Sequence, residues 1–217
     1  MLNYHFINIV NNNSKKMTES AQEADQIRTS ILDAARQRFQ TFGYGKTTMA
    51  EIADDVHMSA ANLYRYFQNK QDIAAECAGQ CMADLNALLE NVVVLPNLNA
   101  VQRLHLFVQT ALRYYFEMMH ESPRLNEVVE NITTNHPQLI HQRNQKIEQL
   151  LVKILQQGID EKDFVTEDIN ETSSAIVKAT VLFTTPFFMH LYAIEEFEKM
   201  AVNVVNLIIN GLKNNQG

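Results

Sequence analysis

The chain has 217 residues, 46% of them hydrophobic and 20% charged, and a formal net charge of −7 with a pI near 5.5. That balance is ordinary for a globular protein and excludes nucleic-acid binding through overall positive charge, leaving only the local charge of a docking face to decide the matter. Two cysteines exclude a disulfide framework and lead to the expectation of a reducing cytoplasm, and no stretch approaches membrane-spanning length without charge.

With only 6 Gly and 4 Pro to punctuate the chain, long helices and an all-α fold are expected. Residues 1–22 read as a disordered tail, most clearly from Asn11 to Lys16. Its apolar part, Leu2 to Val10, is short, interrupted by Asn3, His5 and Asn8, and lacks a basic lead or a small-residue cleavage site. A tail, or an upstream extension ahead of a start at Met17, are the two readings of it. Ser20-Ala21-Gln22-Glu23 has capping-box spacing and opens a helix whose stripe is Ile27, Ile31, Leu32, Ala35, Phe39 and Phe42, closed by Gly43. Thr48-Met49-Ala50-Glu51 is a second box, starting a helix buried through Met49, Ile52, Ala53 and Val56. Ser59 caps a third helix to about Phe67, and Asn69 opens a fourth that runs to about Val94, ahead of Pro96. Three short helices before a long one fit a small head, residues 23–70, on a linker helix from about 69. Residues 71–217 form the remainder. Further helices are expected at Leu98–Glu121, Leu125–Thr133, His136–Gln157 with a stop at Gly158, Glu167–Leu191 kinked at Pro186, and Ala193–Leu212.

Two helices joined by a short turn, the second opened by Ser59, have the geometry that sets a helix into the DNA major groove. Asn62 can pair bidentately with adenine, Arg65 can reach phosphate or guanine, and Tyr64 and Tyr66 can donate to phosphate oxygens. The helix starts at Thr47/Thr48 and Asn69/Lys70 offer free amides to phosphates. Between Ser59 and Lys70 stand two cations and no carboxylate, so this face is basic on an acidic chain. The competing reading is a helical hairpin with solvated tyrosines.

The same string resembles the tetracycline-repressor (TetR/AcrR) family of bacterial transcriptional regulators. The matching residues are Ile31-Leu32-Asp33-Ala34-Ala35, Phe39, Gly43-Tyr44, Thr47-Thr48-Met49, Ile52-Ala53, Ser59, Asn62-Leu63-Tyr64, Tyr66-Phe67 and Asn69-Lys70. The resemblance covers roughly residues 25–75. It implies a three-helix DNA-binding head, a linker helix, and a larger C-terminal domain that dimerises and binds an effector. It implies phosphate contacts at Thr47, Thr48, Tyr64, Tyr66 and Lys70, with Ala60, Ala61, Asn62 and Arg65 at or near the base edges. Two residues depart from the pattern. His57 stands where Gly is usual and a positive φ is needed, and Ala61 stands where Gly is frequent.

Beyond the head, Phe107, Tyr114, Tyr115, Met118, Phe183, Thr184, Phe187 and His190 belong to an aromatic and Met-rich interior. It reads either as core packing or as an apolar pocket for a small hydrophobic effector. The family resemblance puts a homodimer seam on the last two helices, with Val181, Leu182, Met189, Ala201, Val205, Ile208 and Ile209 as its candidates. A palindromic operator in double-stranded DNA then needs two recognition helices about 34–36 Å apart or somewhat more. No catalytic residue, cofactor or metal site is expected. Cys77 and Cys81, one turn apart, lack two further ligands for zinc, and His120, His136 and His141 lack ligand spacing. The expected function is a repressor that leaves its operator when an apolar effector binds. An activator, or a helical metabolite-binding protein or enzyme that does not use its head, are the alternatives.

Overall fold

The computed structural model describes residues 4–213, and among them nine α-helices and no strands. In chain order these are α1 Tyr4–Phe42, α2 Met49–Asp55, α3 Ala60–Leu63, α4 Lys70–Val94, α5 Ala100–Glu121, α6 Asn126–Asn135, α7 Pro137–Asp160, α8 Ile169–Ala179 and α9 Ile194–Leu212. Short 3₁₀ turns occupy Pro123–Leu125 and Pro186–Phe188, and one isolated bridge joins Phe164 to Lys213.

Two apolar cores organise these helices. The smaller is built from Ile31, Leu32, Ala35 and Phe39 of α1, Met49, Ile52 and Ala53 of α2, Leu63 and Phe67, and the first turns of α4 through Ile73, Ala74 and Cys77. Val128 and Ile132 of α6 complete it from the other end of the sequence. The larger core takes the second half of α4, at Leu85, Leu89 and Val92, together with α5, α7, α8 and α9. At 1.5 Å rise per residue, α4 reaches about 37 Å and serves both cores. Each fully buried Leu, Ile or Phe stabilises by about 1.5–3 kcal/mol, so α4 is anchored at both ends.

Several boundaries differ from the sequence expectation, each for a physical reason. The backbone is helical from Tyr4, not from the Ser20 box, because no glycine or proline interrupts Tyr4–Phe42. Residues 1–3 of the expected tail lie outside the described residues. α3 closes as an α-helix at Leu63, and tighter turns carry the chain on to Phe67 through Arg65 N–H to Asn62 O, 3.1 Å, and Tyr66 N–H to Leu63 O, 2.9 Å. α5 starts at Ala100, where Asn99 and Gln102 form a capping box. α7 does not stop at Gly158 but passes through it. A Cβ there would stand 2.0 Å from the Phe164 ring, so this glycine serves close packing and not termination.

The largest difference lies after α8. The single kinked helix expected to Leu191 ends at Ala179. The Thr180 hydroxyl donates back to Ile176 O (2.7 Å) and that of Thr184 to Thr180 O (3.1 Å), a local alternative to the helix ladder. Pro186 then holds Thr185 extended, at φ −131 and ψ 123, and begins a 3₁₀ turn instead of kinking a helix. Residues 180–193 therefore make a corner that leads into α9.

Candidate nucleic-acid interface

The turn between α2 and α3 is fixed by its own backbone. Val56 caps α2, His57 takes φ 54, His57 N–H donates to Asp54 O at 3.0 Å, and Met58 N–H donates to Ala53 O at 3.0 Å. This pair of bonds is the Schellman arrangement, and it requires the left-handed residue that the sequence placed at position 57. Ser59 then accepts from Asn62 N–H at 3.2 Å and starts α3. On the far side, Thr48 and Glu51 form the expected reciprocal box at the start of α2. Leu63 and Phe67 are buried behind α3, leaving its other edge outward.

Along that edge Ser59, Ala61, Tyr64 and Arg65 are exposed, with Ala60, Asn62 and Tyr66 half-buried. Tyr64 is 53% exposed. Arg65 makes no ion pair among the described residues. Thr48 and Lys46, in the turn between α1 and α2, are exposed too, and Lys46, which the sequence reading did not single out, makes no ion pair among the described residues. Two nearby acids, Asp55 and Glu51, are offset. Arg38 of α1 reaches Asp55 at 2.5 Å and Glu51 at 3.4 Å. Hydrogen bonds from Arg38 hold Asp55 below the usual carboxylate range, and bonds from Thr48 do the same for Glu51.

Two expected phosphate contacts are placed otherwise. Thr47 is 1% exposed, and its hydroxyl donates to Gly43 O at 2.8 Å, so it braces the α1–α2 turn instead of facing solvent. Lys70 folds back onto the same turn. Its Nζ donates to Tyr44 O at 2.6 Å and Thr47 O at 2.7 Å, and lies 4.3 Å from the centre of the Tyr44 ring. Burial lowers the Lys70 pKa. Both residues are polar and lie in the expected positions, but chain folding uses their donors first.

Glu127 is the residue of this region that the sequence concealed. It stands on the exposed face of α6, 82 positions along the chain, and accepts from Gly45 N–H at 2.7 Å. Its carboxylate fills the space a Cβ on Gly43 would need, 2.7 Å away, and Gly43 has φ +90. The C-terminal half thus grips the head at the turn that leads into α2. Arg28 ties α1 to the turns after α3 and to α4, donating to Tyr66 O at 2.9 Å, pairing with Glu76, and lying 4.1 Å over Phe67.

The expected effector residues do not line one cavity. Phe107, Tyr115 and Phe183 are packed in the larger core, Thr184 is buried beside them, and Tyr114 and Met118 are half-buried. Phe187, at 51%, and His190 are exposed, because the 180–193 corner turns them outward where a continuous helix would have turned them in. Among the seam candidates, Met189, Ala201, Val205 and Ile209 are buried in the chain's own core. Val181, Leu191 and Leu207 are exposed instead. Cys77 donates to Leu32 O at 3.7 Å, with burial pushing its thiol up to about 11, and Cys81 contacts Tyr114 Oη at 3.2 Å. Among the described residues no group of His, Cys, Asp or Glu is arranged to hold a metal, and no helix is long and apolar enough to cross a membrane.

Comparison with known proteins agrees with this geometry over both halves. Residues 31–77 match the family of bacterial regulatory proteins called tetR, and residues 100–205 match the tetracyclin repressor-like C-terminal domain. The HTH-type transcriptional regulator YvkB of Bacillus subtilis (strain 168) is 29% identical over 167 residues, covering 74% of this chain and 80% of its own. A TetR-family regulator from Mesorhizobium loti shares the fold with a TM-score of 0.70 at 18% identity, covering 88% of this chain and 98% of that one. RolR, solved in complex with resorcinol, shares it with a TM-score of 0.60 at 17% identity, over 86% and 89% of the two chains. YvkB and the Mesorhizobium loti protein are transcriptional regulators.

Proposed function

The chain belongs to the tetR family of bacterial regulatory proteins, whose members bind DNA and form dimers, and from that premise we propose that it is a homodimeric repressor of a palindromic operator. The observation that carries this reading is the outward edge of α3. Tyr64 and Arg65 are exposed, and Arg65 makes no ion pair among the described residues, while Leu63 and Phe67, beside them in sequence, are buried. Arg65 and Asn62 serve the base edges, and Tyr64, Tyr66, Thr48 and Ser59 serve phosphates and sugars. Lys46 adds a cation at the flank. Thr47 and Lys70 act indirectly, by holding the turn at which the backbone of α2 begins.

The dimer forms through the outer faces of α8, α9 and the corner between them, where Val181, Leu191 and Leu207 are exposed with Leu182 and Ile208 at their edge. A small effector enters the C-terminal domain near Tyr114, Tyr115, Met118 and Thr184, a domain whose structural neighbour RolR is seen with resorcinol. Its binding favours a head spacing unsuited to DNA. Coupling of about 1–3 kcal/mol suffices to release the operator. The route is physical: α6 packs against the Pro186–Phe188 turn, contributes Val128 and Ile132 to the head core, and holds Gly45 through Glu127.

A mobility-shift titration on the DNA upstream of the chain's own gene tests the reading. One shifted species carrying two chains per palindrome is expected, and its loss when either half-site is scrambled. Retention of a single chain on an isolated half-site with undiminished affinity would reject the dimeric repressor.

A further inference from the structure

The larger core holds a cation that no carboxylate answers. Arg143 falls on the apolar stripe of α7 with Ile147, Leu150, Leu151 and Ile154, and is 9% exposed. Its Nε donates to Tyr115 Oη at 3.1 Å, one Nη to Asn144 Oδ1 at 3.1 Å, and the other Nη to the carbonyl of Thr184. The guanidinium lies 5.4 Å from the centre of the Tyr115 ring. Every one of these partners is neutral, and among the described residues no Asp or Glu pairs with it.

A buried charge without a counter-charge is expensive, and proteins ordinarily pair it. Three other arginines of the chain sharpen the point. Arg28 and Arg38 lie nearer the surface and have carboxylates. Arg103 is 7% exposed and also lacks one, but its donors go to Val92 O at 2.6 Å and Val93 O at 2.7 Å, the negative end of α4. Arg143 has no helix terminus to answer it, since Thr184 lies in the irregular corner after α8. Three of its N–H groups are used, which leaves two of a guanidinium's five for an oxyanion.

We propose that Arg143 is the recognition group for an effector carrying a carboxylate on an apolar body, and that the carboxylate takes the place of the Thr184 carbonyl on the guanidinium. The proposal rests on the reading that the C-terminal domain binds an effector, and it names the chemistry of that ligand. Tyr115, whose hydroxyl already meets Arg143, orients the acid. Tyr114, its ring 5.4 Å from that of Tyr115 and edge-on, and Met118, 3.3 Å from Cys81 Sγ, meet the apolar part with Phe183. Release of Thr184 loosens the corner that carries the Pro186–Phe188 turn, against which α6 is packed. The ligand would thus exchange a neutral acceptor for a charged one at the same donor and free a segment next to the head's clamp.

The test uses the full chain and matched probes: octanoate, decanoate, benzoate and phenylacetate, each beside its primary amide. Thermal unfolding is followed with each probe, and operator release is followed in parallel by fluorescence anisotropy. At a hundredfold excess over Kd a binding carboxylate raises Tm by about 5–10 °C. At least one acid is expected to do so and to release the operator, its amide to do neither, and Arg143→Gln to weaken the acid at least about tenfold. The acid–amide contrast in the unaltered chain stands even where Arg143→Gln fails to fold. Equal effects of acid and amide, no effect of any acid, or full acid binding by a folded Arg143→Gln would each overturn the proposal. Release by an amide alone would do so while leaving the effector reading intact.

Discussion

In the head, Arg28 and Arg38 reach across neighbouring helices to Glu76, Asp55 and Glu51, close to solvent and with charge matched to charge. In the C-terminal domain, Arg103 and Arg143 are buried and rest on neutral oxygens. Glu76, Asp55 and Glu51 are engaged in this bracing, while Arg65 on the edge of α3 pairs with no carboxylate among the described residues. The C-terminal domain keeps an unanswered charge inside, next to a corner that has already left the helix. One region leaves a polar edge with an exposed arginine turned outward; the other holds a buried arginine on neutral oxygens beside a corner that has left the helix.

The sharpest way to break this contrast is to disturb the support behind the outward edge of α3. Leu63→Ala removes a fully buried side chain from under α3 and is expected to cost about 2–5 kcal/mol. Denaturant unfolding with the far-UV signal would show it, and a cost below about 1 kcal/mol would mean that the head is not packed as described.

Glu127→Ala acts on the join between the regions. Losing one exposed, charge-assisted bond to Gly45 N–H should cost about 1 kcal/mol, speeding amide exchange at Gly45 about fivefold while the larger core is unaffected. Unchanged exchange at Gly45 would remove α6 as the link.

The smallest effect is expected at His57. A left-handed residue with a Cβ carries strain that glycine lacks, partly offset by glycine's freedom in the unfolded chain. His57→Gly should therefore stabilise by about 0.5 kcal/mol, seen as a higher denaturant midpoint with the same slope. A loss of stability would show that the His57 ring makes contacts worth more than the strain.

These same residues show how much was readable beforehand. The Thr48–Glu51 box, the Ser59 cap, Gly43 and the positive φ at His57 are decided by atoms within a few positions of each other, so the sequence displays them directly. The all-α fold and the linker helix follow from periodicity over longer windows. What stayed hidden depends on distant partners. Nothing near Glu127 points to Gly45, and nothing near Lys70 says that its ammonium returns to Tyr44 and Thr47. Arg143 did carry a signal, since a charged residue occupies a slot that the α7 stripe reserves for apolar side chains. The break after Ala179 was obscured because Thr180 to Leu191 keeps an apolar pattern while its threonines and Pro186 take the backbone elsewhere.

The most direct measurement compares two arginines of equal charge in operator-binding titrations over a range of salt. Arg65→Ala, on the edge of α3, is expected to weaken binding by about 1–3 kcal/mol and to reduce the salt slope by about 1. Arg113→Ala, on the surface of α5 beside Glu198, should leave both unchanged. Equal losses from the two substitutions, or none from Arg65→Ala, would contradict the placement of DNA on α3.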